Sequence, residues 1–296
     1  MKDAVRAAVI NFKAEFGDKR CNLDKMIYYV DAAAAKGVDI LVLPELCLTG
    51  YDVFSSDDVE FGDKAALCET ADGEAVCEMN KAVKSRGVMT IFGFAEKDGD
   101  GFYNSAAAVY PNGDVKLYRK LHLFGREGLF FKRGDLPLPL DTPWGKTGIG
   151  ICYDTYNFPE LLRYYAAKGA RLYLNPTAMA LEDTGEGAKE SFCNYYRKTL
   201  EYNVINTGMF ILSSNLTGFD GRSYFGGGSV VMGVGSSRFK RPEVKYYAGT
   251  IENDDEGIFC ADIDLSMHNP RLFVPNSVTG EVDFRPEFYV NLYKNL

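Results

Sequence analysis

Residues 40–43, with the sequence ILVL, are apolar at every position and restrict the fold of this chain more than any other segment. A strand with one face in water alternates apolar and polar side chains, whereas an unbroken apolar run is typical of a strand covered on both faces. Residues 147–151, TGIGI, are interpreted as a second apolar strand, which stops at Cys152. The sheets of this protein are therefore predicted to be covered by other layers.

Predicted helices and strands follow each other along the whole chain. Helices are predicted at residues 18–35, 71–86, 158–168 and 188–204. Strands are predicted at residues 5–11, 40–43, 89–95, 147–151, 171–174, 209–213 and 229–233. Hairpins are predicted from 102–110 to 115–118, around the turn PNGD at 111–114, and within 244–264.

This order of elements indicates more than one sheet. Alternating helices and strands are typical of βα units, while direct links between strands indicate antiparallel or mixed sheets. A helix-covered pair of sheets fits better than a Rossmann-type arrangement. We predict an α/β fold of the α+β type, with one domain at residues 1–270 and an irregular C-terminal arm at residues 271–296.

Composition and charge exclude several classes of function. The chain has 296 residues and a net charge of -8, which argues against a nucleic-acid partner bound mainly through phosphates. No segment reaches the roughly 18 consecutive apolar residues of a membrane span. The first residues, MKDA, do not resemble a signal peptide. A cytoplasmic protein with no membrane partner is expected.

The cysteines and histidines do not indicate a metal site. Seven cysteines are present, an odd number, and none forms a CxxC pair, so neither a disulfide framework nor a zinc site is predicted. The only histidines, His122 and His268, are too few for a typical histidine-rich site. We expect no metal and no cofactor.

Three polar residues each follow a predicted strand. Glu45 comes just after the apolar run 40–43, Lys120 ends the strand of the first hairpin, and Cys152 lies between a strand and a helix. The carboxyl ends of parallel strands meet at one edge of a sheet, where ligands bind. Glu45, Lys120 and Cys152 are therefore predicted to share a pocket.

Their chemistry is that of nucleophilic catalysis without histidine. A carboxylate in a partly dry pocket takes up the thiol proton near neutral pH. A lysine ammonium and helix N-terminal amides favour a thiolate, and the lysine also stabilises an oxyanion. The backbone N–H of Tyr153 is predicted to be the second oxyanion donor.

Several motifs together resemble the carbon-nitrogen hydrolase (nitrilase) superfamily. The motifs, in the order of that family, are LVLPELCLTGYD, YRKLHLF, GIGICYD with FPELLRYYAAKGARLYLNPTA, RKTLEYNVINTGMFILSSN and FGGGSVVMG. The resemblance implies a four-layer α-β-β-α sandwich. It also implies that Glu45 is the general base and acid, Lys120 the oxyanion stabiliser, Cys152 the nucleophile and Glu127 an additional positioning glutamate.

The resemblance further implies hydrolysis of a small amide or N-carbamoyl compound through a thioester on Cys152. Cys-Tyr-Asp at 152–154 is similar to amidase-type branches, which makes nitrile hydrolysis less favoured. An acyltransferase and a catalytically silent binding module are the alternatives. A homodimer or higher homo-oligomer is also implied, with the arm 271–296 packing on the domain or on a partner subunit.

The predicted substrate contacts are Tyr51, Tyr153, Tyr156 and Asn175. Residues 155–157, Thr-Tyr-Asn, replace a shorter segment that carries arginine in many relatives, which weakens the case for a substrate acid there. Acidic residues at 182, 183, 186 and 190 suggest either a rim that selects an amine-bearing substrate or a solvated loop and helix N-terminus. The second interpretation is favoured.

Overall fold

The computed structural model of the protein describes residues 1–235 and 243–296. The strands of these residues are β1 (Ala4–Asn11), β2 (Ile40–Val42), β3 (Met89–Asp98), β4 (Gly101–Val109), β5 (Val115–Arg119), β6 (Leu140–Thr142), β7 (Gly145–Ile149), β8 (Leu172–Thr177), β9 (Phe210–Asn215), β10 (Thr217–Asp220), β11 (Ser223–Gly226), β12 (Val230–Gly235), β13 (Glu243–Ala248) and β14 (Gly257–Asp264). The α-helices are α1 (Lys19–Ala35), α2 (Asp52–Ser55), α3 (Phe61–Leu67), α4 (Glu74–Arg86), α5 (Tyr153–Tyr156), α6 (Pro159–Ala167), α7 (Ala188–Thr207) and α8 (Pro286–Tyr293).

Two mixed six-stranded sheets form the centre of the molecule. The first has the strand order β14-β1-β2-β3-β4-β5, and the second has the order β13-β12-β9-β8-β7-β6. Strands β1, β2 and β3 are parallel to one another, as are β7, β8 and β9, while the outer strands pair antiparallel. Glu45 follows β2, Cys152 follows β7 and Lys120 follows β5, so the candidate site lies at the carboxyl ends of these strands.

The alternation of side chains along β1 shows how the layers form. Ala7 and Val9 lie in the core between the two sheets, whereas Ala8 and Ile10 face the other way and pack with Met26 of α1. Helices α1 and α4 cover the first sheet, and α6 and α7 cover the second. The predicted single-domain α-β-β-α sandwich with mixed sheets is confirmed.

One predicted hairpin is correct and the other is wrong. Strands β4 and β5 pair antiparallel from Val109 and Val115, and Gly113 has a φ of 96°, which glycine adopts without strain. Strands β13 and β14 do not pair with each other. β13 pairs with β12 in the second sheet, and β14 pairs along its whole length with β1 in the first. Local sequence contains no signal for pairing with β1, which is more than 200 residues away.

The C-terminal arm contains helix α8, which packs near α6 of the same chain. The hydroxyl of Tyr293 donates a hydrogen bond of 2.8 Å to Glu160 Oε1. In the described part of the chain, no helix combines the length and the apolar character that crossing a membrane requires.

Candidate active site

Cys152 occupies a strained turn between β7 and α5. Its φ is 47°, in the left-handed region that residues other than glycine seldom adopt. Its backbone N–H lies 3.0 Å from the carbonyl oxygen of Pro176 and 3.2 Å from Asn175 Oδ1, both in β8. Strained conformations of this kind persist where surrounding contacts fix them, and they cluster at functional sites.

The Cys152 thiol is buried, with 9 % of the residue exposed. Burial raises the pKa of the Cys152 thiol and the negative charge of Glu45 raises it further, while Lys120 and a hydrogen bond from Thr177 lower it in part. The lysine and helix-terminus effects expected from the sequence are therefore outweighed by burial. A thiol whose pKa is raised needs a base to take its proton before it can act as a nucleophile.

An ammonium between two carboxylates lies at the centre of the site. Lys120 Nζ is 2.7 Å from Glu45 Oε1 and 2.7 Å from Glu127 Oε1, and all three side chains are buried. Burial acts to lower the pKa of Lys120, but Glu127 and Glu45 outweigh it, so that the pKa is raised and the lysine stays charged. Burial raises the pKa of Glu45 against the opposing effect of Lys120. A carboxyl with a raised pKa suits a proton acceptor near neutral pH.

Glu45 follows β2 in a turn that a glycine makes possible. A Cβ on Gly93 would lie 2.4 Å from the backbone nitrogen of Leu46 and 2.6 Å from Glu45 Cα, so only glycine allows this close approach. The Glu45 backbone N–H donates to the carbonyl oxygen of Thr177, 3.3 Å away at the end of β8. The turn that carries Glu45 is thereby attached to the opposite sheet.

Glu127 lies in a short 3-10 helix, Gly125–Leu129, that follows Lys120. Its Oε1 accepts a hydrogen bond of 2.6 Å from the hydroxyl of Tyr51, in addition to the one from Lys120. Its Oε2 accepts from the backbone N–H of Phe124 at 3.2 Å. Three donors therefore fix the Glu127 carboxylate, and Tyr51 lies in the predicted site as one of them.

Sequence reasoning missed Asn104, in the middle of β4. Asn104 is fully buried, and its Nδ2 donates a hydrogen bond of 2.7 Å to Glu45 Oε1. The pair Asn104 and Ser105 interrupts the strand FYNSAAAV, and such a polar pair within an apolar strand is a signal that could have pointed to the site.

Asp154 is a second buried polar residue close to Cys152 along the chain. Its carboxylate accepts hydrogen bonds from the Tyr118 hydroxyl and from the backbone N–H groups of His122 and Ile151. Along the chain, Tyr118 and His122 lie on either side of Lys120, and Ile151 comes directly before Cys152. Asp154 therefore connects the loop of the lysine to the turn of the cysteine.

The three other predicted substrate residues lie around Cys152 and mostly contact protein. Tyr153 packs against Phe124 with ring centroids 5.2 Å apart. Asn175 accepts from Cys152 N and donates to the hydroxyl of Tyr156 at 2.9 Å, and Tyr156 donates to Thr177 Oγ1 at 2.9 Å. Asn175 and Tyr156 thus support the turn that holds the thiol.

The acidic residues before α7 are exposed. Glu182, Asp183 and Glu186 lie in the loop between β8 and α7, and Glu190 lies in the first turn of α7, where a negative charge stabilises a helix. All four side chains lie in solvent, as expected for a loop and the N-terminus of a helix.

A buried Glu-Lys-Glu cluster and a cysteine on a strained turn lie together within an α-β-β-α sandwich. Residues 6–270 match the carbon-nitrogen hydrolase family. The chain is therefore a member of that family.

Relatives in the family carry several different activities in their names. The chain is 28% identical to a nitrilase of Pyrococcus abyssi, over 96% of this chain and 99% of that protein. It is 26% identical to an (R)-stereoselective amidase of a Pseudomonas species, over 97% of this chain and 98% of the relative. An omega-amidase of Xenopus laevis is 34% identical over 54% of this chain and 59% of its own length.

The fold also matches solved structures. The amidase of a Nesterenkonia species superposes with a TM-score of 0.73 and 23% sequence identity, over 99% of this chain and 98% of that one. This likeness confirms the sandwich of two helix-covered sheets.

Proposed function

We propose that this protein hydrolyses the C–N bond of a small linear amide or N-carbamoyl compound through a thioester on Cys152. The observation that carries the proposal is the buried contact of Lys120 with Glu45 and Glu127, next to a thiol whose pKa is raised by burial. Glu45 is the proposed base and acid. Lys120 is the proposed oxyanion stabiliser, and Cys152 is the proposed nucleophile. Glu127 is the proposed positioning carboxylate.

The first half of the reaction forms the thioester. Glu45 takes the proton of Cys152 while the sulfur attacks the carbonyl carbon, and the carbonyl electron pair moves onto oxygen. The tetrahedral intermediate then collapses, the C–N bond breaks, and Glu45 returns its proton to the departing nitrogen. Ammonia or an amine leaves, and the acyl group remains on sulfur.

The second half consumes one water molecule. Glu45 takes a proton from water as the oxygen attacks the thioester, and the C–S bond breaks. The sulfur then regains the proton from Glu45, which restores the resting site. One carboxyl group therefore acts twice, and a raised pKa, caused by burial, favours this exchange.

Lys120 and the N-terminus of α5 are the proposed donors to the oxyanion. An ammonium has three N–H bonds, and the described residues engage two of those on Lys120, with Glu45 and Glu127. Tyr153 is the first residue of α5, where a backbone N–H has no acceptor within the helix. Both donors come from fixed elements, so little reorganisation accompanies the reaction.

Relatives support an amide-type substrate. The names of similar proteins include an (R)-stereoselective amidase and omega-amidases. In the Nesterenkonia amidase, a variant carries the acetamide moiety of fluoroacetamide on its active-site cysteine. A small amide is the substrate class that this chemistry fits.

Nitrile hydrolysis is the second candidate. It is favoured by the similarity to the Pyrococcus abyssi nitrilase over nearly the full length of both chains. A thiolate also adds to a nitrile carbon, and two waters then release acid and ammonia. The same residues would carry out both reactions, so only an assay of which substrates are turned over can distinguish an amidase from a nitrilase.

Ammonia release from a panel of aliphatic amides, N-carbamoyl compounds and nitriles tests the proposal. We expect turnover of at least one amide or carbamoyl compound, with an acyl adduct found on the Cys152 peptide by mass spectrometry. Cys152→Ala should lower turnover by about 10³-fold or more. Cys193→Ala, which changes another buried cysteine, is the matched control and should stay active. Full activity of Cys152→Ala would exclude the thioester mechanism, and turnover of nitriles alone would favour the second candidate.

We also propose that the protein forms a homodimer through α7 and the C-terminal arm. Tyr195, Tyr202 and Ile205 of α7 are exposed, as are Phe288 and Val290 of α8. Both α7 and α8 contact α6, and large exposed apolar side chains mark interaction surfaces. Light scattering during size exclusion should give twice the 32.9 kDa chain mass, and a monomer at micromolar concentration would contradict the proposal.

A further inference from the structure

The two oxygens of the Glu45 carboxylate have different surroundings. Oε1 accepts hydrogen bonds from Lys120 Nζ and from Asn104 Nδ2, each at 2.7 Å. Oε2 is buried and has no hydrogen-bond partner among the described residues. An oxygen that already accepts two hydrogen bonds, one of them from a cation, is the less basic of the pair.

Asn104 contacts both ends of the Glu45–Lys120 pair. Its side chain donates to Glu45, while its backbone carbonyl oxygen accepts from the backbone N–H of Lys120 at 2.8 Å. Asn104 lies in β4, where Ser105 pairs with Arg119 of β5, the residue before Lys120. One residue on a rigid strand therefore holds the carboxylate and the start of the lysine's loop in a fixed relation.

We propose that Asn104 is a positioning residue of this site, which holds Oε1 of Glu45 so that Oε2 is the oxygen that accepts the proton of Cys152. The role rests on the proposed function of Glu45 as the base. An amide is suited to it because an NH₂ group donates to a carboxylate without adding charge. The bond also stabilises the ionised form of Glu45, the form that can act as a base.

The pH dependence of Cys152 alkylation by iodoacetamide tests the role without knowledge of the substrate. Peptide mass spectrometry gives the rate for Cys152 separately from the other cysteines. Removing a hydrogen bond to a charged group changes its free energy by about 1.5 to 3 kcal/mol, which corresponds to about one to two pH units. The acid limb of the profile is the range in which the alkylation rate rises with pH as the base loses its proton. We expect this limb to move to higher pH by that amount in Asn104→Leu and Asn104→Ala.

Ser105→Ala is the matched control. Ser105 is the next residue on the same strand, is equally buried, and donates to a different buried carboxylate, Glu96, at 2.5 Å. Its loss should lower stability but leave the acid limb in place. Cys47 is fully buried, so its alkylation reports unfolding in the same sample. Asn104→Leu keeps the branched shape of the side chain, and Asn104→Ala gives a second variant if the larger leucine does not fit.

Glu45→Gln distinguishes a failure of the positioning role of Asn104 from a failure of the proposed function of Glu45. If it loses the acid limb while both Asn104 variants keep the wild-type limb, Asn104 has no role in positioning the base. If Glu45→Gln keeps the wild-type limb, Glu45 is not the base and the proposed function itself fails. A shift in the Asn104 variants together with loss of the limb in Glu45→Gln supports both.

Discussion

The hydroxyl of Tyr118 donates a hydrogen bond of 2.8 Å to Asp154 Oδ2, and this contact joins the strand before Lys120 to the turn after Cys152. Both residues are buried at 1% and 0% exposure. Lys120 follows a strand of the first sheet, whereas Cys152 follows a strand of the second. The relation between them therefore depends on contacts between sheets, of which this is one.

Asp154→Ala should destabilise the protein strongly. The substitution leaves the Tyr118 hydroxyl and the backbone N–H groups of Ile151 and His122 without their acceptor. We expect the free energy of unfolding to fall by roughly 3 kcal/mol or more, and by about 1.5 kcal/mol in Tyr118→Phe, which removes one donor. Urea denaturation measures both. The exposed Asp135→Ala is the control, and an Asp154→Ala protein as stable as this control would contradict the role of Asp154.

Tyr51→Phe should reduce activity while the protein stays folded. The phenol is one of three donors to Glu127, which in turn contacts Lys120. Loss of a hydrogen bond to a charged group corresponds to about a tenfold or greater fall in kcat/KM where it acts on the transition state. Tyr224→Phe removes a similar bond, to Asp254, away from the site and serves as the control. Equal kcat/KM values for the two variants would show that the Tyr51 hydroxyl does not support the reaction.

Gly93→Ala should disturb the turn that carries Glu45. The new Cβ would lie within 2.6 Å of the backbone of Leu46 and Glu45, so the strand or the turn must move. We expect a loss of about 1 to 3 kcal/mol in stability together with a loss of activity. Gly257→Ala, at a strand position with nothing within 4 Å, provides the comparison. Thermal unfolding and ammonia release in parallel give the result, and wild-type values for both would mean that the contact is not as close as described.

Asp220 should make stability depend on pH in the acid range. Its buried carboxylate accepts from the backbone N–H groups of Tyr51 and Asp52, and burial raises its pKa to about 6, an effect to which the Asp52 charge adds. Its ordinary pKa is 3.8. Between these values the folded protein holds a proton that the unfolded chain has lost, so this group's contribution to stability falls as the pH rises from about 4 to about 6.

Asp220→Asn isolates this contribution, because the amide cannot ionise. The difference in unfolding free energy between wild type and Asp220→Asn should change by on the order of 3 kcal/mol across that range, in favour of the variant at higher pH. A difference that stays constant with pH would indicate that Asp220 has an ordinary pKa. Urea titrations at several pH values supply the data.

Local patterns predicted most elements of the fold. The apolar run 40–43 and the PNGD turn indicated a buried strand and a hairpin, and both are present as β2 and the β4–β5 pair. The second hairpin was wrong because β14 pairs with β1, and no local pattern reports a partner at the other end of the chain. Helices α2 and α3, which lie in residues 52–67 close to Tyr51, also had no strong periodic signal.

The order of residues alone is enough to identify three reactive groups, a carboxylate, an ammonium and a thiol, each placed after a strand. It also determined the family, because its motifs occur in the family's order along residues 6–270. The contacts that support these groups, in contrast, form only when the sheets pack together. The contacts of Asn104 with Glu45 and of Asp154 with Tyr118 join residues 59 and 36 positions apart. The pKa of the Cys152 thiol also depends on the tertiary structure, because burial raises it. The thiol is buried only when the two sheets and their helices are packed together.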